Sequence, residues 1–179
     1  MFQEKKKELR KLIRQLKEKQ NTEAYFRESA EIMAAVEQLP AFINASTVMA
    51  YWSIKSEVYT HDFVKKWSNR KRIILPSVDG DKMNLKLYQG DDNLVPGGLY
   101  EIPEPDGPVF TDYESIDIII VPGIAFDKAN NRMGRGKAYY DRFLNPLKSL
   151  KIGVCFSFQL FDEIPADEHD IRMDMVITN

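Results

Sequence analysis

The chain has 179 residues, 44% of them apolar, and a formal net charge of −2. That length and composition suit one domain with a real core, and they leave no global field to attract nucleic acid or an acidic membrane. The single cysteine, Cys155, excludes an internal disulfide, and no apolar run approaches the length of a membrane span.

Charge is nevertheless uneven. Residues 1–20 hold eight Lys/Arg against three Glu, and residues 132–142 hold four against one Asp. Two basic patches on a slightly acidic chain point to a small polyanionic ligand rather than a nucleic-acid track. The first residues are charged from Glu4 onward and lack the apolar centre of a signal peptide, so a cytoplasmic monomer is expected.

In chain order, residues 2–19 predict a helix with Leu9, Leu12, Ile13 and Leu16 as its apolar stripe, and with Lys6 and Arg10 one turn apart on one edge. Asn21-Thr22 is a break with capping potential, and Glu23 suits a first turn. A second helix spans 23–39, with Phe26, Ala30, Met33, Val36 and Leu39 facing inward, and Pro40 ends it. Residues 1–40 thus form an amino-terminal helical segment packed on an α/β domain that takes in the whole chain, 1–179. Thr47–Trp52 predicts a buried strand, Thr60–Ser68 a helix, and Arg72–Leu75 a strand stopped by Pro76. This rhythm belongs to a parallel sheet with crossover helices.

Asp79-Gly80-Asp81 signals a hairpin, and Met83–Tyr88 alternates strictly as a half-exposed strand. Residues 89–115, rich in Gly, Pro and acid, make a long loop, expected to cross the mouth of a cleft with Tyr100 facing it. A strand at 116–121 follows, then a glycine loop and a helix from about 137 to 147. Strands at 151–156 and 175–178 complete the chain, with a short turn or helix at 158–161 between them. Cys155 sits in an apolar run, so a buried inert thiol is expected.

The stretch from Val121 to Leu144 carries most of the chemistry. After its apolar strand come Arg132, Gly134, Arg135, Gly136, Lys137 and Asp141. Glycines let backbone approach a ligand, and exposed amides at a helix start favour anions. With three cations beside them, the pattern predicts a phosphate cradle, although it lacks the Gly-Lys-Ser/Thr ending of a Walker A loop. In a parallel sheet, Ser56 and Glu57 after one strand and 122–137 after another converge on the carboxyl edge. That would set Glu57, Trp52, Tyr139 and Tyr140 beside the cradle, a wall suited to a planar polar heterocycle. Lys137 and Asp141, four residues apart, share a helix face and form either a surface ion pair or a phosphate and magnesium pair, with Asp174 as a second carboxylate. His61 and His169 have no metal-ligand spacing, and no nucleophile elbow is present. Asp127 reads as a turn former.

The pattern Gly123-x-Ala-Phe-Asp…Arg132-x-Gly-Arg-Gly-Lys-x-Tyr-Tyr-Asp-Arg-Phe-Leu144 closely resembles the signature of the 5-formyltetrahydrofolate cyclo-ligase family, also called methenyltetrahydrofolate synthetases. Lys6-x-x-Leu-Arg10, Tyr51–Glu57, Ile102-Pro-Glu-Pro105 and His169–Asp174 resemble further stretches of that family. The resemblance implies an α/β fold, a mostly parallel Rossmann-like sheet flanked by helices with an amino-terminal helical extension. It implies conversion of 5-formyltetrahydrofolate to 5,10-methenyltetrahydrofolate with ATP and Mg2+, releasing ADP and phosphate through a phosphorylated formyl group. By the same resemblance Lys6, Lys7, Glu8, Leu9, Arg10, Arg132, Met133, Gly134, Arg135, Gly136, Lys137, Ala138, Tyr139 and Tyr140 correspond to ATP positions. Arg135, Lys137 and Tyr140 correspond to catalytic positions, Trp52, Glu57, Tyr100, Arg135 and Tyr139 to folate positions, and Asp141 and Asp174 to metal positions. Ala138 departs from a common glycine; if that position is helical, alanine suits it, and a helix including Ala138 is expected. The competing expectations are a sugar-phosphate isomerase or transferase on a similar scaffold, which needs neither Lys6, Arg10 nor magnesium, and a non-catalytic folate- or nucleotide-binding protein.

Overall fold

A computed structural model describes residues 2–80, 82–97, 101–167 and 169–179. Helices α1 (Phe2–Lys19), α2 (Thr22–Glu37) and α3 (Pro40–Asn44) lead into β1 (Thr47–Met49), α4 (His61–Ser68), β2 (Arg72–Asp79) and β3 (Lys82–Leu87). Short strands β4 (Leu94–Val95) and β5 (Glu104–Pro105) follow, then β6 (Ile118–Pro122), β7 (Ala125–Asp127) and β8 (Arg132–Met133). Helix α5 (Tyr139–Leu144), β9 (Leu150–Val154), β10 (Leu160–Phe161) and β11 (Met175–Ile177) close the chain.

The central six-stranded sheet runs β11-β9-β6-β1-β2-β3. Every neighbouring pair is parallel except the β2–β3 hairpin. Numbering only the parallel strands in chain order gives 2-1-3-4-5, an order that reverses direction between β1 and β6. A crevice forms at the carboxyl ends of such a pair, because their following chain segments leave in opposite directions.

The strands alternate residues between two apolar layers. Val48, Ile73, Leu75, Ile118, Ile120 and Ile152 pack with Ile32, Met33 and Val36 of α2, Phe42 of α3 and Phe63 and Val64 of α4. Met49, Ile74, Leu85, Ile119 and Val121 pack with Phe126 of β7 and Leu144 of α5. Helix α1 docks elsewhere: Leu9 rests against Ala125, Met133 and Ile164.

Several sequence expectations need correction. The inner face of α2 is Ser29, Ile32, Met33 and Val36, while Phe26 and Ala30 point outward, with Phe26 in edge contact with Tyr25 and Tyr59. The helix ends at Glu37, and Pro40 opens α3 at its first position, where a missing N–H costs nothing. Leu12 on α1 is 43% exposed, whereas Ile13 is fully buried. Pro76 does not stop β2, which continues to Asp79 paired with β3. Ala50 donates to the Ile74 carbonyl, so Pro76, two residues on, turns its donor-less nitrogen towards the side where β1 has already ended. The hairpin turn expected at Asp79-Gly80-Asp81 is present, with Asp79 opposite Lys82 and Gly80 at φ 58°; Asp81 lies outside the described residues.

The helix expected from 137 to 147 is only Tyr139–Leu144. Ala138 precedes it in a left-handed conformation, φ 53° and ψ 21°, so the expectation of a helical Ala138 fails. Lys137 is therefore outside the helix, and it does not share a helix face with Asp141. The physical reason is local: positive φ at Gly136 and at Ala138 interrupts the helical backbone, so the helix starts only at Tyr139.

Candidate active site

The crevice at the β1–β6 switch encloses about 990 Å³ of non-atom space, open solvent at its mouth included. Trp52 and Glu57 after β1 line one side, and Arg132, Arg135, Lys137 and Tyr140 after β6 line the other. Pro76, Val78 and Met83 of the β2–β3 hairpin form the floor together with Ile102 and Glu104. Sequence reasoning brought the 89–115 loop to the cleft but missed the part of this floor that β2 supplies. Strict alternation in β3 was visible, but reading Pro76 as a stop removed its partner strand.

The β1 exit loop is braced from within. Tyr51 donates its hydroxyl to the Val58 carbonyl at 2.9 Å, and Ser53 and Thr60 exchange backbone-to-hydroxyl hydrogen bonds at 3.2 and 3.0 Å. These bonds fix Glu57, whose carboxylate accepts from the Ile54 amide at 3.1 Å and from Arg135 Nη2 at 3.1 Å. Arg135 also donates to Ser56 Oγ at 3.0 Å. Trp52 stacks on His61 at 3.9 Å between ring centroids, and His61 Nε2 lies 2.9 Å from the Ser53 carbonyl. Burial pushes the His61 imidazole below its ordinary value, with the Ser53 carbonyl opposing.

Beyond β6, Arg132 is buried. It donates Nε to the Pro122 carbonyl at 2.9 Å and Nη1 to Asp141 Oδ1 at 3.2 Å, and its guanidinium lies over the Tyr140 ring. Burial, reinforced by the Glu57 charge, raises the Tyr140 phenol well above its ordinary range, so it stays protonated. Tyr139 donates to the Gly80 carbonyl at 3.0 Å, tying the glycine loop to the hairpin. Gly136 holds φ 97°, a conformation closed to most side chains, and a methyl group there would stand 3.4 Å from Arg10 Nη2.

That contact brings α1 to the loop. Arg10 Nε is buried and has no hydrogen-bond partner among the described residues. Arg10, Lys7, Arg14, Lys17 and Arg135 line a second, larger groove that Glu8 also borders. Arg135 is common to the groove and the crevice. Lys6, expected beside Arg10, is instead buried and bonded to Asp167 at 3.1 Å and Asp170 at 2.8 Å. Its burial favours the neutral form, but the two carboxylates outweigh that and raise its pKa. Leu9 and Met133 pack in the α1 interface, so neither offers its side chain to a ligand.

Of the metal candidates, Asp141 lines the crevice, but its Oδ1 is shared by Arg132 and the Ile171 amide. Asp174 stands just before β11, where its Oδ2 accepts from the Lys151 amide at 2.7 Å, and it does not line the crevice. Among the described residues no three His, Cys, Asp or Glu side chains gather as a ready metal site. Tyr100 lies outside the described residues. Cys155 is fully buried, and burial pushes its thiol up to about 12, in keeping with the inert role expected. Among the described residues no helix is long and apolar enough to cross a membrane.

This arrangement can hold a flat polar ring against Trp52 and Glu57 and a polyanion against Arg10, Arg135 and Lys137. The chain is similar to known proteins. The solved structure of Aquifex aeolicus 5,10-methenyltetrahydrofolate synthetase superposes with a TM-score of 0.87 at 36% identity, covering 97% of this chain and 89% of that one. The Mycoplasma pneumoniae 5,10-methenyltetrahydrofolate synthetase gives 0.76 at 29% identity, covering 96% and 97%. The yeast Saccharomyces cerevisiae 5-formyltetrahydrofolate cyclo-ligase is 30% identical over 84% of this chain and 83% of its own. The model of the 5-formyltetrahydrofolate cyclo-ligase family matches residues 2–179, and the chain belongs to that family.

Proposed function

We propose that the protein joins N10 to the formyl carbon of 5-formyltetrahydrofolate, using ATP and magnesium, to give 5,10-methenyltetrahydrofolate, ADP and phosphate. The observation that carries this reading is Arg135. It lines both the crevice and the basic groove while bonded to Glu57. A folate ring in the crevice and a polyphosphate in the groove would meet at that side chain.

The pterin would lie against Trp52, with Glu57 accepting from its N–H edge once Arg135 turns to phosphate. The formyl oxygen then attacks the γ-phosphorus and ADP leaves. N10 adds to the formyl carbon, the carbon–oxygen bond breaks, and phosphate departs with the oxygen. The N10 proton passes to solvent, leaving the methenyl cation. Phosphoryl transfer needs positioning and charge neutralisation rather than covalent help. Arg135, Lys137 and Arg10 would supply the charge, and the buried unpartnered Arg10 Nε fits an anion. Tyr140, protonated, would act as a hydrogen-bond donor. Buried Arg132 would act as a fixed support, holding Asp141.

Magnesium, when bound, would shield the phosphate oxygens. It needs few protein carboxylates, and Asp141 is placed in the crevice to supply one. Asp174, bonded to Lys151, does not join it in this conformation.

The test is the absorbance rise of methenyl-folate with pure protein. It should require both ATP and magnesium, and Arg135→Ala should lower kcat/KM at least ~100-fold, about 2.7 kcal/mol of transition-state stabilisation. Absence of any rise with the wild-type protein overturns the reading.

A further inference from the structure

The Ser56-Glu57 pair is held from two directions. Arg135 binds its side chains, as described. From the other side Lys17, near the end of α1, donates its ammonium to the Ser56 carbonyl. Lys17 lines the basic groove beside Ser56 and Arg135 but not the crevice. The groove is the place proposed for the polyphosphate, but the Lys17 ammonium is bonded to the Ser56 carbonyl. Its position is instead that of a brace between α1 and the loop that aims Glu57.

We propose that Lys17 is a positioning residue: its charged Nζ fixes the Ser56 carbonyl and so holds the Glu57 carboxylate in place for the substrate ring. The proposal rests on the folate assignment of the crevice made above. Three further observations support it. The Ile54 amide donates to Glu57 and the Glu57 amide to the Ile54 carbonyl, at 3.1 and 2.9 Å, so the loop is a tight unit that one anchor can steady. Lys17 is the α1 side chain with a hydrogen bond to this loop among the described contacts. Its environment also makes the brace titratable. Burial lowers the Lys17 pKa to about 8; the Glu57 carboxylate opposes that, the Arg135 guanidinium adds to it, and Cys155 opposes weakly. Arg14, Glu18 and Lys55 border the same groove.

The sign follows. Below about pH 8 the ammonium is charged and the brace is complete. Above it the proton is lost, the attraction to Glu57 goes, and the carbonyl keeps only a neutral amine as donor. Folate affinity should therefore fall as pH rises through this range.

The experiment compares wild type, Lys17→Met and Lys17→Arg between pH 6.5 and about pH 10, well above the titration range. Binding of 5-formyltetrahydrofolate without ATP is followed by tryptophan fluorescence, and turnover by methenyl-folate absorbance. Lys17→Met should raise Kd and KM for the folate about tenfold and remove the pH limb. Lys17→Arg should restore affinity and hold it flat to about pH 10, because a guanidinium does not titrate there. Amide exchange in the unliganded protein gives an independent measure. The Ile54 and Glu57 amides should exchange about tenfold faster in Lys17→Met and return to wild-type rates in Lys17→Arg. Unchanged exchange at these two amides, or the same pH limb in all three proteins, overturns the proposal. A wild type that shows the exchange pattern but neither binds folate nor turns it over would instead overturn the assignment of function, leaving the brace intact.

Discussion

Ala138 carries a backbone conformation that a glycine would adopt without strain. A left-handed residue with a Cβ costs about 1 kcal/mol, so Ala138→Gly should raise the unfolding free energy by about that amount, less the entropy that glycine adds to the unfolded chain, and the urea midpoint should move upward. The sequence pattern could not reveal this, since alanine is the strongest helix former and stood next to a helix. His61 is the other instructive residue. Its ring stacks on Trp52, and burial favours its neutral form, depressing its pKa below the ordinary value. The unfolded chain therefore binds a proton more readily. Stability is full above the ordinary histidine value and is lost as pH falls through it towards the depressed one. Acidification from pH 7.5 to about pH 5 should protonate His61 against Trp52, read as a change in tryptophan fluorescence, and His61→Phe should abolish that change.

Among the elements, α1, α4, β3 and the parallel strands were legible because each carries a clean period or a buried apolar run. Failures came where a short element borrowed its structure from neighbours. The six-residue α5 and two-residue β4 and β5 carry too few residues for a pattern. The β4–β5 hairpin is the clearest case. Glu104 latches it to β2 by accepting from Ser77 Oγ at 2.7 Å and the Val78 amide at 3.0 Å. Both partners lie on the strand whose continuation Pro76 had hidden. Glu104→Ala should free the hairpin locally, costing about 2 kcal/mol. The amides of Leu94, Val95, Gly97, Ile102 and Glu104 would then exchange roughly thirtyfold faster, and the folate KM would rise, while the global midpoint shifts little.

For the whole molecule, the order of the parallel strands alone locates the crevice, and the residues flanking it were found from the sequence at its β1 and β6 sides. The α1 side was harder to read, because Lys6 and Arg10, one turn apart, meet opposite fates. Lys6 is neutralised by Asp167 and Asp170, residues about 160 positions away whose approach no local pattern encodes. Arg10 keeps a buried donor unpaired among the described residues. The long signature also divides once its packing is seen. A methyl group on Gly123 or on Gly153 would stand 2.5 Å from opposite edges of the Phe126 ring. The Asp127 carboxylate, one residue on, accepts from Ala129, Asn131 and Ile164. The Gly123–Asp127 half is therefore a clasp between β6, β9 and β7, and its third member, Gly153, lies outside the signature. Gly153→Ala should cost about 1–3 kcal/mol in stability and leave kcat per folded molecule unchanged. A search for distant relatives that scored the clasp and the Arg132–Asp141 segment separately would thus recover two kinds of protein: those that keep the joint, and those that keep the chemistry as well.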